Sequence, residues 1–196
     1  MLNNSGNLEI KDSSTEKTGK ITSLSGKIFT NEAGAILKIS TEVEEQMRST
    51  TMIENKGQII VEKGTISTTN IGVICIDNKE SGIMTLKDSN IIATNKTKYD
   101  NKIEGRYVIN NMSSERAKLE NCNISINSND KENAIYNSEN GIMEITNSVL
   151  SGTSIGIYNN GKIALSNTTI SGAGRCNGSI IILNEKGKIE INESQI

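Results

Sequence analysis

Ile135-Tyr136-Asn137 leads to Gly141-Ile142-Met143-Glu144-Ile145-Thr146-Asn147-Ser148-Val149-Leu150-Ser151-Gly152, and Ile157-Tyr158-Asn159 leads to Gly161-Lys162-Ile163-Ala164-Leu165-Ser166-Asn167-Thr168-Thr169-Ile170-Ser171-Gly172. The same phrase is written twice in succession. A phrase recurring every twenty-odd residues marks a repeat architecture, in which each unit buries its apolar side against the next.

The second half of the phrase serves as a template: a start residue, usually Gly, with apolar side chains two, four and nine positions later. Gly57 brings Ile59, Val61 and Ile66; Gly82 brings Met84, Leu86 and Ile91. Glu115 replaces the glycine once, yet Ala117, Leu119 and Ile124 keep the pattern. Gly141, Gly161 and Gly187 open further units that run to Ile196. Between the apolar slots stand polar residues such as Glu62, Lys87 and Glu144. Apolar–polar alternation puts one face inside and one in water, which is strand periodicity.

Upstream of each unit lies an aliphatic residue two before an asparagine: Ile53/Asn55, Ile76/Asn78, Val108/Asn110, Ile135/Asn137, Ile157/Asn159 and Ile182/Asn184. Stacked side-chain amides can hydrogen-bond along a column as a ladder, and asparagine tolerates the left-handed backbone of a sharp bend. A second polar column, Asp12, Lys63, Asp88, Asn121, Asn147, Asn167 and Glu193, falls six positions after the start residues.

These patterns predict an all-β fold, a right-handed parallel β-helix of roughly seven to eight coils. Leucine-rich repeats have a similar period but need their own leucine spacing and a helical segment. Hairpins, hinted at by Asn140-Gly141 and Asn160-Gly161, would not keep three apolar slots in phase. Residues 1–196 read as a single β-helix domain, with irregular coils over 1–50 and regular ones over 51–196. Gly19 reads as the opener of an early coil that includes Ile21 and Ile28. The run Glu42-Val43-Glu44-Glu45 reads as a protruding loop. The register runs from Gly6 and stops at Ile196 in an inward slot, so the reading expects a piece of a longer protein.

Composition narrows the function. Lys+Arg number 21 against 23 Asp+Glu, leaving no electrostatic footprint for nucleic acid. Hydrophobic residues make up 34% and aromatics 3%, enough for the thin core of a solenoid but not for a thick globular one. Proline is absent, which suits paired strands. Histidine is absent too, which removes Ser-His and Cys-His nucleophile pairs and imidazole metal ligands. Cys75, Cys122 and Cys176 are too scattered for a zinc site and read as buried free thiols. No apolar run reaches a membrane span, so no membrane insertion is expected within the segment. No cofactor or metal site is implied.

The phrase Gly156-Ile157-Tyr158-Asn159-Asn160-Gly161-Lys162-Ile163-Ala164-Leu165-Ser166-Asn167-Thr168-Thr169-Ile170-Ser171-Gly172 resembles the coils of right-handed β-helix proteins of the pectate-lyase-like superfamily. In texture it is most similar to the non-enzymatic repeats of bacterial surface proteins and autotransporter-like adhesins. That resemblance implies a secreted or cell-surface bacterial protein, not an enzyme, forming a rigid scaffold that binds a glycan or a host surface protein. It is expected to act as a monomer or as part of a larger chain. The alternative is part of a polysaccharide lyase or glycoside hydrolase whose active site is completed outside the segment. Enzymes of this fold cluster carboxylates on neighbouring coils, whereas Asp77, Asp88, Asp100 and Asp130 stand mostly singly.

Two stretches are candidate ligand sites. Coil length varies between the last apolar slot and the next asparagine motif, so insertions should emerge along one edge. The largest contains Lys96, Lys98, Tyr99 and Arg106, a mixture able to contact a sugar or a protein. Tyr136 and Tyr158 each follow an inward isoleucine on neighbouring coils and should form an outward platform for a sugar ring, with Ile109 and Leu183 in the same column. An ice-binding surface would need regular threonine columns, and Thr68/Thr69 and Thr168/Thr169 do not line up into one.

Overall fold

A computed structural model describes residues 1–13, 19–24, 27–46, 51–69, 73–94, 107–127, 133–152, 155–172 and 181–196. The chain delivers short strands in threes. The first coil supplies β1 (Leu2–Asn4), β2 (Asn7–Lys11) and β3 (Lys20–Ser23), and the second β4 (Phe29–Asn31), β5 (Ile36–Ser40) and β6 (Glu42–Glu45). The third has β7 (Thr51–Asn55), β8 (Gln58–Glu62) and β9 (Thr65–Thr68), the fourth β10 (Ile74–Asn78), β11 (Ile83–Lys87) and β12 (Asn90–Thr94). The fifth has β13 (Tyr107–Asn111), β14 (Arg116–Glu120) and β15 (Asn123–Asn127), the sixth β16 (Asn133–Asn137), β17 (Ile142–Thr146) and β18 (Val149–Gly152). The seventh has β19 (Ile155–Asn159), β20 (Lys162–Ser166) and β21 (Thr169–Gly172), and β22 (Ile182–Asn184) and β23 (Lys188–Asn192) follow.

First strands pair only with first strands, second with second and third with third. The result is a parallel β-solenoid of three sheets: A and B with eight strands each and C with seven. Among the described residues there is no helix, and so none long and apolar enough to cross a membrane.

The three apolar slots explain the stacking. Ile59, Val61, Ile66, Met84, Leu86, Ile91, Ile145 and Leu165 each lose essentially all solvent exposure, and Ile53, Ile76, Ile109, Ile135 and Ile157 do the same from sheet A. Full burial of such a side chain contributes roughly 1.5–3 kcal/mol. One coil alone has nothing to bury these residues against, so cohesion comes from neighbouring coils.

The N-terminal stretch is more regular than its sequence pattern suggests. Ala35 takes the start position, and Leu37 and Ile39 align with Ile59 and Val61. The bend from β5 to β6 is Thr41 alone, where the next coil uses Lys63-Gly64. Val43 therefore arrives one position early to meet Ile66, and a fixed template misses it. The acidic run is not a protruding loop but strand β6: Val43 and Glu45 are buried, and Glu45 accepts a hydrogen bond from Thr68 Oγ1 at 2.9 Å. Glu42 and Glu44 meet Lys20 Nζ at 3.2 and 2.6 Å. Gly19 likewise opens no coil: it precedes β3, which places Ile21 beside Val43 in sheet C, while Ile28 leads into sheet A of the next coil.

At the ends of the sheet A strands the asparagines form one continuous ladder. Nδ2 of Asn4, Asn31, Asn55, Asn78, Asn111, Asn137 and Asn159 each donates to Oδ1 of the next member, ending at Asn184, at 2.7–2.9 Å. The same amides donate to turn carbonyls, such as Asn137 Nδ2 to Gly141 O at 3.0 Å. The recurrent glycine follows from this arrangement. A Cβ on Gly141 would collide with Asn137 Oδ1, and one on Gly82 with Asn78 Oδ1.

Two details differ from the sequence reading. The fifth ladder residue is Asn111, not Asn110: Ile109 pairs with Ile76 and Ile135, and Asn110 turns outward. The ladder asparagines are also not the left-handed residues. Positive φ belongs to the second polar column, with Lys63 at 55°, Asp88 at 49°, Asn121 at 53°, Asn147 at 50°, Asn167 at 47° and Glu193 at 48°. These residues turn the chain from sheet B into sheet C. The residues after Asp88, Asn121, Asn147 and Asn167 fill buried positions and cap the bend. Ser89, Ser148 and Thr168 donate to the carbonyl two residues earlier at 2.6–3.0 Å, and Cys122 Sγ does so at 3.3 Å.

Candidate functional site: a tyrosine column on sheet A

Alternation along β16 and β19 sends Ile135 and Ile157 inward and Tyr136 and Tyr158 outward. Parallel register sets Tyr136 beside Tyr158, with Leu183 next on one side and Asn110 on the other. Asn110 thus takes the place in this column expected for Ile109, a consequence of the same one-residue shift.

Tyr107, at the start of β13, completes the site. Its ring centroid lies 4.6 Å from that of Tyr136 with the planes inclined by 30°, and Tyr136 meets Tyr158 edge to face at 5.3 Å and 90°. The rings are therefore not coplanar. They form a stacked cluster, in the offset and edge-on arrangements that the ring quadrupole favours. All three tyrosines are half-buried. Tyr158 Oη donates to Glu185 Oε2 at 2.7 Å, which holds the ring in place and raises the phenol pKa by stabilising the protonated form. Burial raises that of Tyr107.

Along the same face toward the first coils the chemistry changes from aromatic to ionic. Asn110 Nδ2 donates to Asp77 Oδ1 at 2.9 Å, and Lys79 Nζ lies 2.7 Å from Asp77. Glu54 then meets Lys27 at 2.6 Å and Lys56 at 3.3 Å, and the Lys27 ammonium holds the Glu54 carboxyl below its usual range.

Lys96, Lys98, Tyr99 and Arg106 lie outside the described residues; Arg106 directly precedes Tyr107 in the chain. Of the cysteines, Cys75 and Cys122 are buried and free, with burial raising both thiols, and Cys176 lies outside the described residues.

Sequence reasoning missed Tyr107, Glu185 and Asn111. A signal for Asn111 was present: choosing Ile109/Asn111 leaves the same interval to Glu115 that Asn137 leaves to Gly141. Tyr107 carried no such signal: alternation from Ile109 would send it inward, and the paired burial of Val108 and Ile109 turns it out.

A second concavity, an open groove of about 500 Å³, is lined by Asp12, Ser40, Thr41, Glu42, Glu62, Lys63 and Thr65. It lies at the shortened bend of the second coil. Asp12 Oδ2 accepts from the Gly19 amide at 2.6 Å and Glu42 pairs with Lys20, so these two carboxylates already have local partners. Among the described residues no group of three or more His, Cys, Asp or Glu is placed to hold a metal ion.

No family model, no curated protein and no solved structure matches the chain.

Proposed function

We propose that this chain is a non-catalytic β-helix of a bacterial surface or secreted protein. It serves as a rigid scaffold of the adhesin-like kind within the pectate-lyase-like superfamily and binds a glycan or a host protein through the tyrosine column. One observation carries the proposal: of the four tyrosines in the chain, three stand together on one outward face. Clustered half-buried tyrosines offer large, stiff contact area with a polar tip, the composition that dominates recognition surfaces. The backbone beneath them is fixed by ladder hydrogen bonds and by the buried asparagine column, so little conformational freedom is lost on binding. Glu185 adds a carboxylate acceptor at the rim. The mechanism is static display, and no cofactor enters it. The bacterial and extracellular setting rests on the sequence resemblance.

The experiment is a glycan array together with a host-protein binding screen, run on the chain and on Tyr136→Ala/Tyr158→Ala. The proposal expects a ligand whose binding falls at least tenfold in the double variant. A ligand bound equally by both proteins, or the absence of any ligand, would contradict it.

A further inference from the structure

The tyrosines of sheet A sit on three successive coils, and their rings touch. Tyr107 and Tyr136 lie nearly face to face, with 4.6 Å between centroids and planes inclined by 30°, and Tyr158 meets Tyr136 at 5.3 Å and 90°. The strands beneath are locked in parallel register, with Tyr107 opposite Asn133, Asn110 opposite Tyr136, and Tyr136 opposite Tyr158. Burial raises the Tyr107 phenol most, and the Tyr136 and Tyr158 phenols add to the shift, so the hydroxyl-bearing ends of the rings lie near one another. These are also the ends that carry the carbons ortho to oxygen, at which phenoxyl radicals couple.

Phenols are the readiest one-electron donors on this chain. It has no tryptophan and no histidine. Cys75 and Cys122 are buried, with burial raising both thiols, and Met52, Met84 and Met143 are buried as well. The tyrosine cluster is half-buried on an outward face, where a small oxidant reaches it. Tyr158 is the point of entry, because its Oη donates to Glu185 Oε2 at 2.7 Å and loss of an electron is coupled there to passage of the proton to a carboxylate. Rings in contact then hand the oxidation to Tyr136 and Tyr107. The stiff backbone holds those two rings together in advance, which favours their coupling over encounters between separate molecules.

We infer that Tyr107 and Tyr136 form an oxidative cross-linking site, at which a peroxide-derived one-electron oxidant joins them into a dityrosine that staples the fifth coil to the sixth. Each of the two rings gives up one electron and its phenolic proton. An electron taken first from Tyr158 is restored by the neighbouring ring, and the proton held on Glu185 returns to Tyr158. A carbon–carbon bond forms between the ortho carbons of Tyr107 and Tyr136, the hydrogens displaced from those carbons leave as protons, and the two oxygens are reprotonated. One hydrogen peroxide takes up the two electrons and two protons and becomes two waters. The site shares Tyr136 with the binding column proposed above but does not require that a ligand binds there.

The test treats the dilute purified chain with a haem peroxidase and hydrogen peroxide, then follows dityrosine fluorescence and maps linked peptides by mass spectrometry. The variants are Tyr107→Phe, Tyr136→Phe, Tyr158→Phe and Glu185→Gln. Phenylalanine keeps the ring packing without the phenol, and an unchanged thermal melt establishes that each variant is folded. The expected product is a link within one chain between the peptides carrying Tyr107 and Tyr136, lighter than their sum by two hydrogen atoms. Its yield per chain should not depend on protein concentration, and it should fall by roughly tenfold or more in Tyr107→Phe and in Tyr136→Phe. Tyr158→Phe and Glu185→Gln should form the same link more slowly. The absence of dityrosine overturns the inference. So does an undiminished yield in Tyr107→Phe, a link that joins only separate chains, or a link from Tyr136 to Tyr158 in place of Tyr107. Undiminished rates in both Tyr158→Phe and Glu185→Gln would overturn the entry through Tyr158.

Discussion

Tyr107 and Tyr136 face each other with ring centroids 4.6 Å apart, although they sit on successive coils and in different columns of sheet A. Tyr136 in turn takes the edge of Tyr158, and Tyr158 is tied to Glu185. The column is thus anchored at one end by a carboxylate, and its ionisation should report on that tie.

The Glu185 acceptor raises the Tyr158 phenol above its ordinary value of 10.0. A group whose pKa is higher in the folded state contributes stability that is fully present below the unfolded value and is lost as pH rises through the folded one. Tyr158 should therefore be a late-titrating tyrosine when phenolate absorbance is followed with pH, and the native state should weaken above about pH 10. Glu185→Gln should bring that transition back toward the ordinary value while leaving the neutral-pH melt nearly unchanged.

The buried bend column contains Ser89, Cys122, Ser148 and Thr168, and the thiol of Cys122 donates to Glu120 O as the hydroxyls do to their own carbonyls. Cys122→Ser should change stability by less than about 1 kcal/mol, because the hydroxyl keeps the same bond. Cys75 sits fully buried in the apolar core, and Cys75→Ser should cost about 1–3 kcal/mol. Urea denaturation measures both. In a Cys176→Ser background neither remaining thiol should react with a disulfide reagent until the chain unfolds.

Lys63 holds φ at 55° in a column where three other coils use asparagine. A lysine gains nothing locally from the left-handed conformation, whereas glycine adopts it freely and asparagine more readily. Lys63→Gly or Lys63→Asn should raise stability by about 0.5–1 kcal/mol. Destabilisation by both would show that the lysine side chain makes a contact that matters more than the backbone.

Much of the fold could be read from the chain because a solenoid repeats its physics. The slots filled by Ile59, Val61 and Ile66 recur coil after coil, and every recurrence strengthens the register. Reading failed where one residue was gained or lost. The single-residue bend at Thr41 hid the second coil, and the doubled asparagine Asn110-Asn111 allowed two registers. The site suffered from the second failure. A one-residue slip moves every side chain of a strand to the opposite face, so with Asn110 in the ladder Ile109 was set beside Tyr136; Tyr107 reaches the cluster because alternation breaks at the start of β13, where Val108 and Ile109 are both buried. Glu185 carried no local sequence signal, since its approach to Tyr158 depends on how the next coil stacks.

The register of β13 is therefore the most direct point at which to test the whole arrangement, since it fixes both the asparagine ladder and the tyrosine cluster. Asn111 is fully buried, donates to Asn137 at 2.8 Å and accepts from Asn78 at 2.9 Å, whereas Asn110 faces outward toward Asp77. Urea denaturation of Asn111→Ala and Asn110→Ala compares the two. Asn111→Ala should cost about 2–4 kcal/mol, because it leaves two buried ladder partners unsatisfied, and Asn110→Ala less than about 1.5 kcal/mol. The reverse order would place Asn110 in the ladder, set Ile109 beside Tyr136 in its stead and contradict the register on which the tyrosine site is built.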